Sequence, residues 1–265
     1  MNTKILLPTL FILLSIACGK KQSGITNDTA VSTNHESVLS QDTTLSDEKI
    51  DELLENAIKS IDDSTSEQFQ NREKMKLRGQ AVIDSIHIFI DNKQYVNALD
   101  LYNRNNAEIL VYLGTSTQNF GFHREIVRPL LFETLPKDSA VNVYCSILEL
   151  DFAMTEGVIS MSGGKKIPEH YADLLNDLSM AYSLQKNWNK TMELRNKLAD
   201  FIEKQKGANS QDYAGVIRMQ SEMYYVMGET AKAIDLMLKA RHIYGRNENT
   251  ERVNYCNKKL EQWSE

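Results

Sequence analysis

The chain has 265 residues, 42% of them hydrophobic, with only 4 Pro and 12 Gly, enough apolar material for one elongated domain or two compact ones. Its formal net charge of −6 argues against a nucleic-acid partner, which would want a basic face.

The N-terminus stands apart from any fold. Met1 to Lys4 carries one positive charge, Ile5 to Ile16 is apolar, and Ala17-Cys18 follows. An apolar run of that length is too short to span a bilayer as a stable helix and suits a secretory signal. The small residue directly before Cys18 makes the segment resemble a bacterial lipoprotein signal. In that family the cysteine becomes the lipidated first residue after cleavage. The match departs at Ser15, where the family prefers Leu; Leu14 lies one position further back. An ordinary signal peptide with an incidental cysteine is the alternative. Residue 19 is Gly rather than the Asp that tends to hold such lipoproteins at the inner membrane. The resemblance therefore implies a membrane-anchored protein of the bacterial cell envelope, at the outer membrane facing the periplasm. Several acyl chains at about 0.8 kcal/mol per buried CH₂ give a durable anchor.

Residues 18–46 read as the lipidated cysteine and a flexible tether. From Gly19 to Ser46 the composition turns to Ser, Thr, Asn, Asp, Gln and Lys without an aromatic residue, and His35 lies there exposed. A coil of that length has a mean reach of roughly 30 Å.

Helical pattern begins near Asp47, in a region taken as 47–164. Asp47 and Glu48 suit the positive end of a helix through Ile50, Leu53, Leu54, Ala57, Ile58 and Ile61. Ser64 with Glu67 forms a capping box opening a longer helix through Phe69, Leu77, Val82, Ile86 and Phe89, which stops at Asp91-Asn92. Tyr95, Ala98 and Tyr102 then follow at second-helix spacing, so 79–103 reads as a divergent first repeat. Gly114 closes a short helix, and Gly114 to Gly121 reads as a loop. Pro129 inside Ile126-Val127-Arg128-Pro129-Leu130-Leu131 predicts a break or kink. Asp138 caps a long helix through Val143, Ile147, Leu148, Phe152 and Met154 that ends before Gly163-Gly164.

Residues 165–265 carry the strongest pattern. Ala214 to Gly245 reads as two antiparallel helices broken at Gly228 and ended at Gly245. Small residues (Ser221, Ala233, Ala240) fall where the helices approach, and Ile217, Tyr224, Ile234, Met237 and Leu238 fill the seam at turn spacing. The outline recurs 42 positions earlier: Ser179 for Ser221, Tyr182 for Tyr224, Trp188 for Thr230, Leu198 for Ala240, and Tyr171-Ala172 for Tyr213-Ala214. A fixed period of this size marks stacked helical hairpins. Asn249 to Trp263 reads as a terminal helix, with Tyr255 and Leu260 covering the last hairpin and Asn257, Lys258, Lys259 and Glu261 in water.

At these residues the chain resembles the tetratricopeptide repeat in its 42-residue, kinesin light chain-like spacing. The later copy matches at Ser221, Tyr224, Gly228, Ala233 and Ala240; the earlier departs at Lys186, Thr191 and Arg195. The distance from Ile86 to Ser179 is 93, so the middle, 105–164, does not follow a clean repeat. The resemblance implies an all-α fold of stacked antiparallel helix hairpins forming a short right-handed solenoid. In the family the first helices line a concave groove for a peptide or partner helix. By position that face takes Asn176, Met180 and Ser183 from the earlier copy and Arg218, Glu222 and Tyr225 from the later. These side chains can hydrogen-bond an extended backbone while Met and Tyr pack its side chains. Packing against neighbouring helices is the alternative.

No motif for chemistry stands out. His170, Asp173 and Asp177 share one helical face, where acidic residues near a helix start are the usual dipole arrangement and a metal the lesser alternative. His87 reads as a packed core histidine, and His123-Arg124-Glu125 as a solvated helix start or else an anion or partner contact. Ser160 to Lys166 lacks the glycine and the Ser or Thr of a phosphate loop. Cys145 lies in an apolar helical run and reads as a buried free thiol, with pairing to Cys256 the alternative. The sequence thus predicts a lipid-anchored adaptor that binds a protein or peptide, with no catalytic residue, cofactor or metal. A structural subunit of an envelope complex is the second reading, and an enzyme with a site around His123 and Arg124 the third.

Overall fold

The computed structural model describes residues 67–264. The signal, Cys18, the tether, the helix expected from Asp47 and the capping residue Ser64 lie outside them. Every regular element among the described residues is helical: α1 (Glu67–Asp91), α2 (Tyr95–Arg104), α3 (Asn106–Leu113), α4 (Ser116–Phe122), α5 (Arg128–Thr134), α6 (Lys137–Met161), α7 (Tyr171–Leu184), α8 (Trp188–Lys206), α9 (Gln211–Val226), α10 (Thr230–Arg246) and α11 (Thr250–Ser264). A π-helical segment, His123–Val127, joins α4 to α5. Neighbours in sequence are neighbours in space from α6 onward: α6 packs on α7, α7 on α8, α8 on α9, α9 on α10 and α10 on α11. The fold is an all-α array of stacked antiparallel hairpins, and one apolar core runs through it from Val82 to Trp263.

The turns that make the hairpins share one design. At Lys186 (φ 59°) and Gly228 (φ 83°) the backbone is left-handed. Around each, three backbone N–H groups bond back in the same order: Gln185 to Ala181, Lys186 to Ser183 and Asn187 to Tyr182, then Met227 to Met223, Gly228 to Tyr225 and Glu229 to Tyr224. This arrangement satisfies the last carbonyls of the first helix and turns the chain into the second. Lys186 therefore does what Gly228 does, although the side chain hides it. The same bonds recur around Lys93 (φ 58°) and Glu248 (φ 57°), and each following helix begins two residues later. Expected from this is a gain of about 0.5–1 kcal/mol on Lys186→Gly and a similar loss on Gly228→Lys, read from thermal denaturation, because a side chain is disfavoured at such a φ.

The 42-residue register holds inside the hairpins. Ser179 and Ser221 are both buried, as are Thr191 and Ala233, and Leu198 and Ala240. Arg195, in the place of Met237, stays buried by donating from Nη1 to the Met219 carbonyl of the next hairpin. Tyrosine–lysine contacts repeat as well. Lys197 lies 5.9 Å from the Tyr171 ring centroid and Lys239 lies 5.1 Å from that of Tyr213. Lys190 lies 4.5 Å from the Tyr182 ring and Lys232 lies 3.8 Å from the Tyr224 ring. These pairs sit across each hairpin, and cation–π contacts of this kind contribute about 0.5–1 kcal/mol at exposed sites. Glu156 and Glu149 of α6 accept from Tyr171 and Tyr182, tying the irregular half to the regular one.

Several expectations change. The stretch 114–121 is not a loop: Thr115 caps α4 by accepting from the Gln118 N–H, and only Gly114 (φ 71°) is left-handed. Pro129 produces no break; the chain widens into the π segment just before it, and the proline sits in the first turn of α5, where its missing N–H matters least. Asp138 lies in the first turn of α6 behind Pro136 and acts on the helix dipole rather than as a cap. Gly245 lies within α10, and the turn comes at Glu248. Leu77, Val143 and Leu238, expected in the core, are 38%, 40% and 38% exposed. His87 is exposed, not packed. In α11, Asn257 accepts from Arg241 and Lys259 lies over Tyr255, so neither simply meets water.

Candidate partner-binding groove

The first helices α7 and α9, with α11 beside them, present side chains to one another along one face. Asn176 and Arg218, at equivalent positions, both line a groove of about 480 Å³. Its walls include Leu198 and Ile202 of α8, Tyr244 of α10 and Arg252 of α11. Gly215 lines the groove without a side chain: a β-carbon there would stand 3.5 Å from the Tyr244 hydroxyl, an ordinary contact, so a larger side chain at this position would fill the groove. Lys206 and Asp212 at the groove's edge pair with each other, and Asp173 pairs with Arg124 at 2.7 Å. Arg218 Nη1 lies 2.5 Å from Glu222 while its buried Nε has no hydrogen-bond partner. Burial opposes the Arg218 charge, but Glu222 more than offsets this and holds its pKa above the ordinary value. With those carboxylates engaged, Arg252 is the cationic side chain lining the groove that makes no ion pair among the described residues.

The other named residues divide. Met180 is 46% exposed and does not line the groove, and the Asn176 amide nitrogen lies 3.6 Å from its sulfur. Ser183 is half-buried against Met223 of α9. Glu222 also accepts from the Tyr255 hydroxyl at 2.8 Å, and Tyr225 stacks on Trp263 with ring centroids 4.6 Å apart. Both therefore anchor α11 and neither lines the groove, and Tyr225 keeps 39% of its surface exposed. Leu184 and Val226, 42 positions apart at the ends of α7 and α9, are 56% and 60% exposed. Sequence reasoning missed Arg252, Asn249 and Tyr244 because they belong to the helices read as back wall and cap. Gly215 was the available signal, since a mid-helix glycine with negative φ otherwise only costs stability.

The ionisable groups of the irregular half are inward. His123 is not at a solvated helix start: it lies in the π segment, 2% exposed, with Nδ1 2.8 Å from Asp151 Oδ2, and Asp151 is 1% exposed. Arg124 bridges the π segment to α7, 2.7 Å from Asp173 and 3.3 Å from Asp177. Burial pushes the Asp177 carboxyl up, and Arg124 and Arg128 pull it partly back. His170 has Nδ1 3.0 Å from Thr117 Oγ1 and Nε2 3.0 Å from Thr155 Oγ1, and its ring stacks on Phe120. His170, Asp173 and Asp177 are thus each engaged with other side chains. Cys145 and Cys256 are buried free thiols, and burial pushes Cys145 up to about 11.

Burial lowers the His170 pKa below the unfolded value of 6.5, more than Asp151 and Asp173 raise it. The unfolded chain then takes up a proton that the folded one resists. Its contribution to stability is intact above about pH 6.5 and is lost as pH falls below that. His170→Asn is expected to flatten this part of a urea-denaturation pH profile; an unchanged slope between about pH 6.5 and 5 would place the titration elsewhere.

Compared with protein-family models the chain matches none, and no curated protein matches it. Among solved structures it is similar to the crystal structure of BtubC (BKLC) from P. vanneervenii, with 10% sequence identity and a TM-score of 0.45, over 81% of this chain and 91% of that one. Among the described residues no helix is long and apolar enough to cross a membrane.

Proposed function

We propose that this protein is a lipid-anchored adaptor of the bacterial cell envelope that holds a protein or peptide partner along the α7–α9–α11 face. The observation that carries this reading is the groove lined by both Asn176 and Arg218, with Met180 and Tyr225 exposed further along the same two helices. Aromatic and sulfur-bearing side chains beside a polar groove suit a segment whose apolar side chains pack on them while its polar groups face the arginines. The donors left in the groove favour a segment carrying a carboxylate. Cys18 supplies the anchor through acyl chains, and residues 19–46 supply reach. The inward-facing pairs of the irregular half oppose the enzymatic reading, because His123 and Asp151 offer a substrate no accessible surface.

Partner capture from detergent-solubilised membranes of the source cells tests both halves of this reading. Gly215→Leu, which fills the groove, and the pair Asn176→Ala/Met180→Ala are expected to lose at least tenfold in retained partner, with unchanged helicity and melting temperature. A ΔΔG near 1.4 kcal/mol corresponds to that factor. Cys18→Ala is expected to move the protein to the soluble fraction while keeping the partner. Groove variants that retain every partner would end the binding reading, and a Cys18→Ala form that still partitions with membranes would end the anchor reading.

A further inference from the structure

The last two helices form a second groove, of about 480 Å³, lined by Arg241, His242, Gly245, Arg246, Val253 and Asn257. None of these is a lining residue of the α7–α9–α11 groove. Gly245 lies where α10 faces α11, and a β-carbon there would make an ordinary contact with Val253 at 3.9 Å. Across that contact Asn257 Oδ1 accepts from Arg241 Nη1 at 3.1 Å, which orients the guanidinium and leaves its other N–H groups free for a ligand. His242 and Arg246 are exposed one turn along the same face. No carboxylate lines the groove, and among the described residues neither Arg241 nor Arg246 makes an ion pair. The setting is basic in an acidic chain: from Lys239 to Ser264 there are six Lys or Arg against Glu248, Glu251 and Glu261, while the whole chain carries −6.

We propose that this α10–α11 groove binds a phosphate group, presented by a small soluble phosphorylated molecule or by the headgroup of an anionic phospholipid. Two guanidinia lining one groove, with an imidazole and an amide beside them, supply the donors that such an anion takes. The local excess of Lys and Arg over Glu between Lys239 and Ser264 favours an anion there. The inference is independent of the partner reading, because it uses other residues.

Titration calorimetry of the folded soluble protein with inorganic pyrophosphate, and sedimentation with phosphatidylcholine vesicles with and without phosphatidylglycerol, distinguish the two sources. The expected result is saturable binding of one probe at 0.15 M salt, weakened at least tenfold by Arg241→Gln/Arg246→Gln. Lys204→Gln, a charge removal on α8, is expected to leave it unchanged. Pyrophosphate binding alone assigns a soluble ligand, and vesicle binding alone assigns a headgroup. Failure of both probes to bind, or equal weakening by Lys204→Gln, overturns the proposal in favour of diffuse surface charge. Unchanged melting temperatures of the variants keep a folding defect from standing in for lost binding.

Discussion

Replacing His123 with alanine is expected to destabilise the protein by about 3 kcal/mol, the cost of leaving a buried carboxyl without its hydrogen-bond partner. Asp151 is 1% exposed, and its two oxygens lie 2.8 and 3.0 Å from His123 Nδ1. Without the imidazole the buried Asp151 carboxyl loses the hydrogen bond that its two oxygens share. The pair also fixes the irregular half of the chain. His123 opens the π segment, Asp151 lies in the middle of α6, and Tyr102 of α2 meets the imidazole edge-on at 6.1 Å. Burial, reinforced by Asp151, pushes the Tyr102 hydroxyl well above its ordinary pKa, so it stays protonated. A structural role makes a further prediction. His123→Leu/Asp151→Leu, which replaces both members with apolar groups, is expected to recover most of the stability lost by either single change. Urea midpoints of the four proteins supply the cycle. A double variant as unstable as the sum of the singles would show that the pair does not act as a unit.

The regular half of this fold was legible because its period is written in residues of restricted size. Ser221, Ala233 and Ala240 are small where helices touch, and Ser179, Thr191 and Leu198 hold the same places. The turn at Lys186 was not legible. A left-handed residue announces itself when it is glycine, and here the backbone hydrogen bonds and core packing hold a lysine in that conformation. The same reason hid the turn at Glu248 and made Gly245 look like a terminus, whereas the break before Tyr95 was read where it falls. Lys190 with Lys232 and Lys197 with Lys239 repeat at 42 positions and went unused, because a surface lysine carries no signal until its tyrosine is placed beside it.

The irregular half hid its own logic in a different way. Its polar residues pair over long separations, His123 with Asp151, Arg124 with Asp173, and Thr117 with His170. No local pattern reveals such pairs. Of the candidate site, the first-helix positions could be read from the repeat, and the structure places Asn176 and Arg218 on one groove. What could not be read was the use of Glu222 and Tyr225 by α11, since that depends on where the last helix docks.

Gly79→Ala is expected to cost about 3 kcal/mol, although alanine is the better helix former by about 1 kcal/mol. Gly79 lies within α1 at the crossing with α3. A β-carbon there would stand 2.3 Å from the Glu108 carbonyl oxygen and 2.7 Å from the Tyr112 β-carbon. Neither is the far end of a flexible side chain, so α3 itself must move, and with it Ile109, which is fully buried. Ala172 and Ala214 stand the same distance before their left-handed residues, where no short helix folds back across the first helix. Gly157, inside α6, has no atom within 4 Å of such a β-carbon. Gly157→Ala is therefore expected to stabilise by about 0.5–1 kcal/mol. Opposite signs for the same substitution on two helices separate packing from propensity. In a stacked array each hairpin rests mainly on its neighbours, so the damage at Gly79 should stay at its own end. Hydrogen exchange is expected to quicken across α1–α3 and to remain slow across α9–α11, leaving the groove of Asn176 and Arg218 intact. Uniform loss of protection along the chain would mean that the array unfolds as a single cooperative body and that the two ends are energetically coupled.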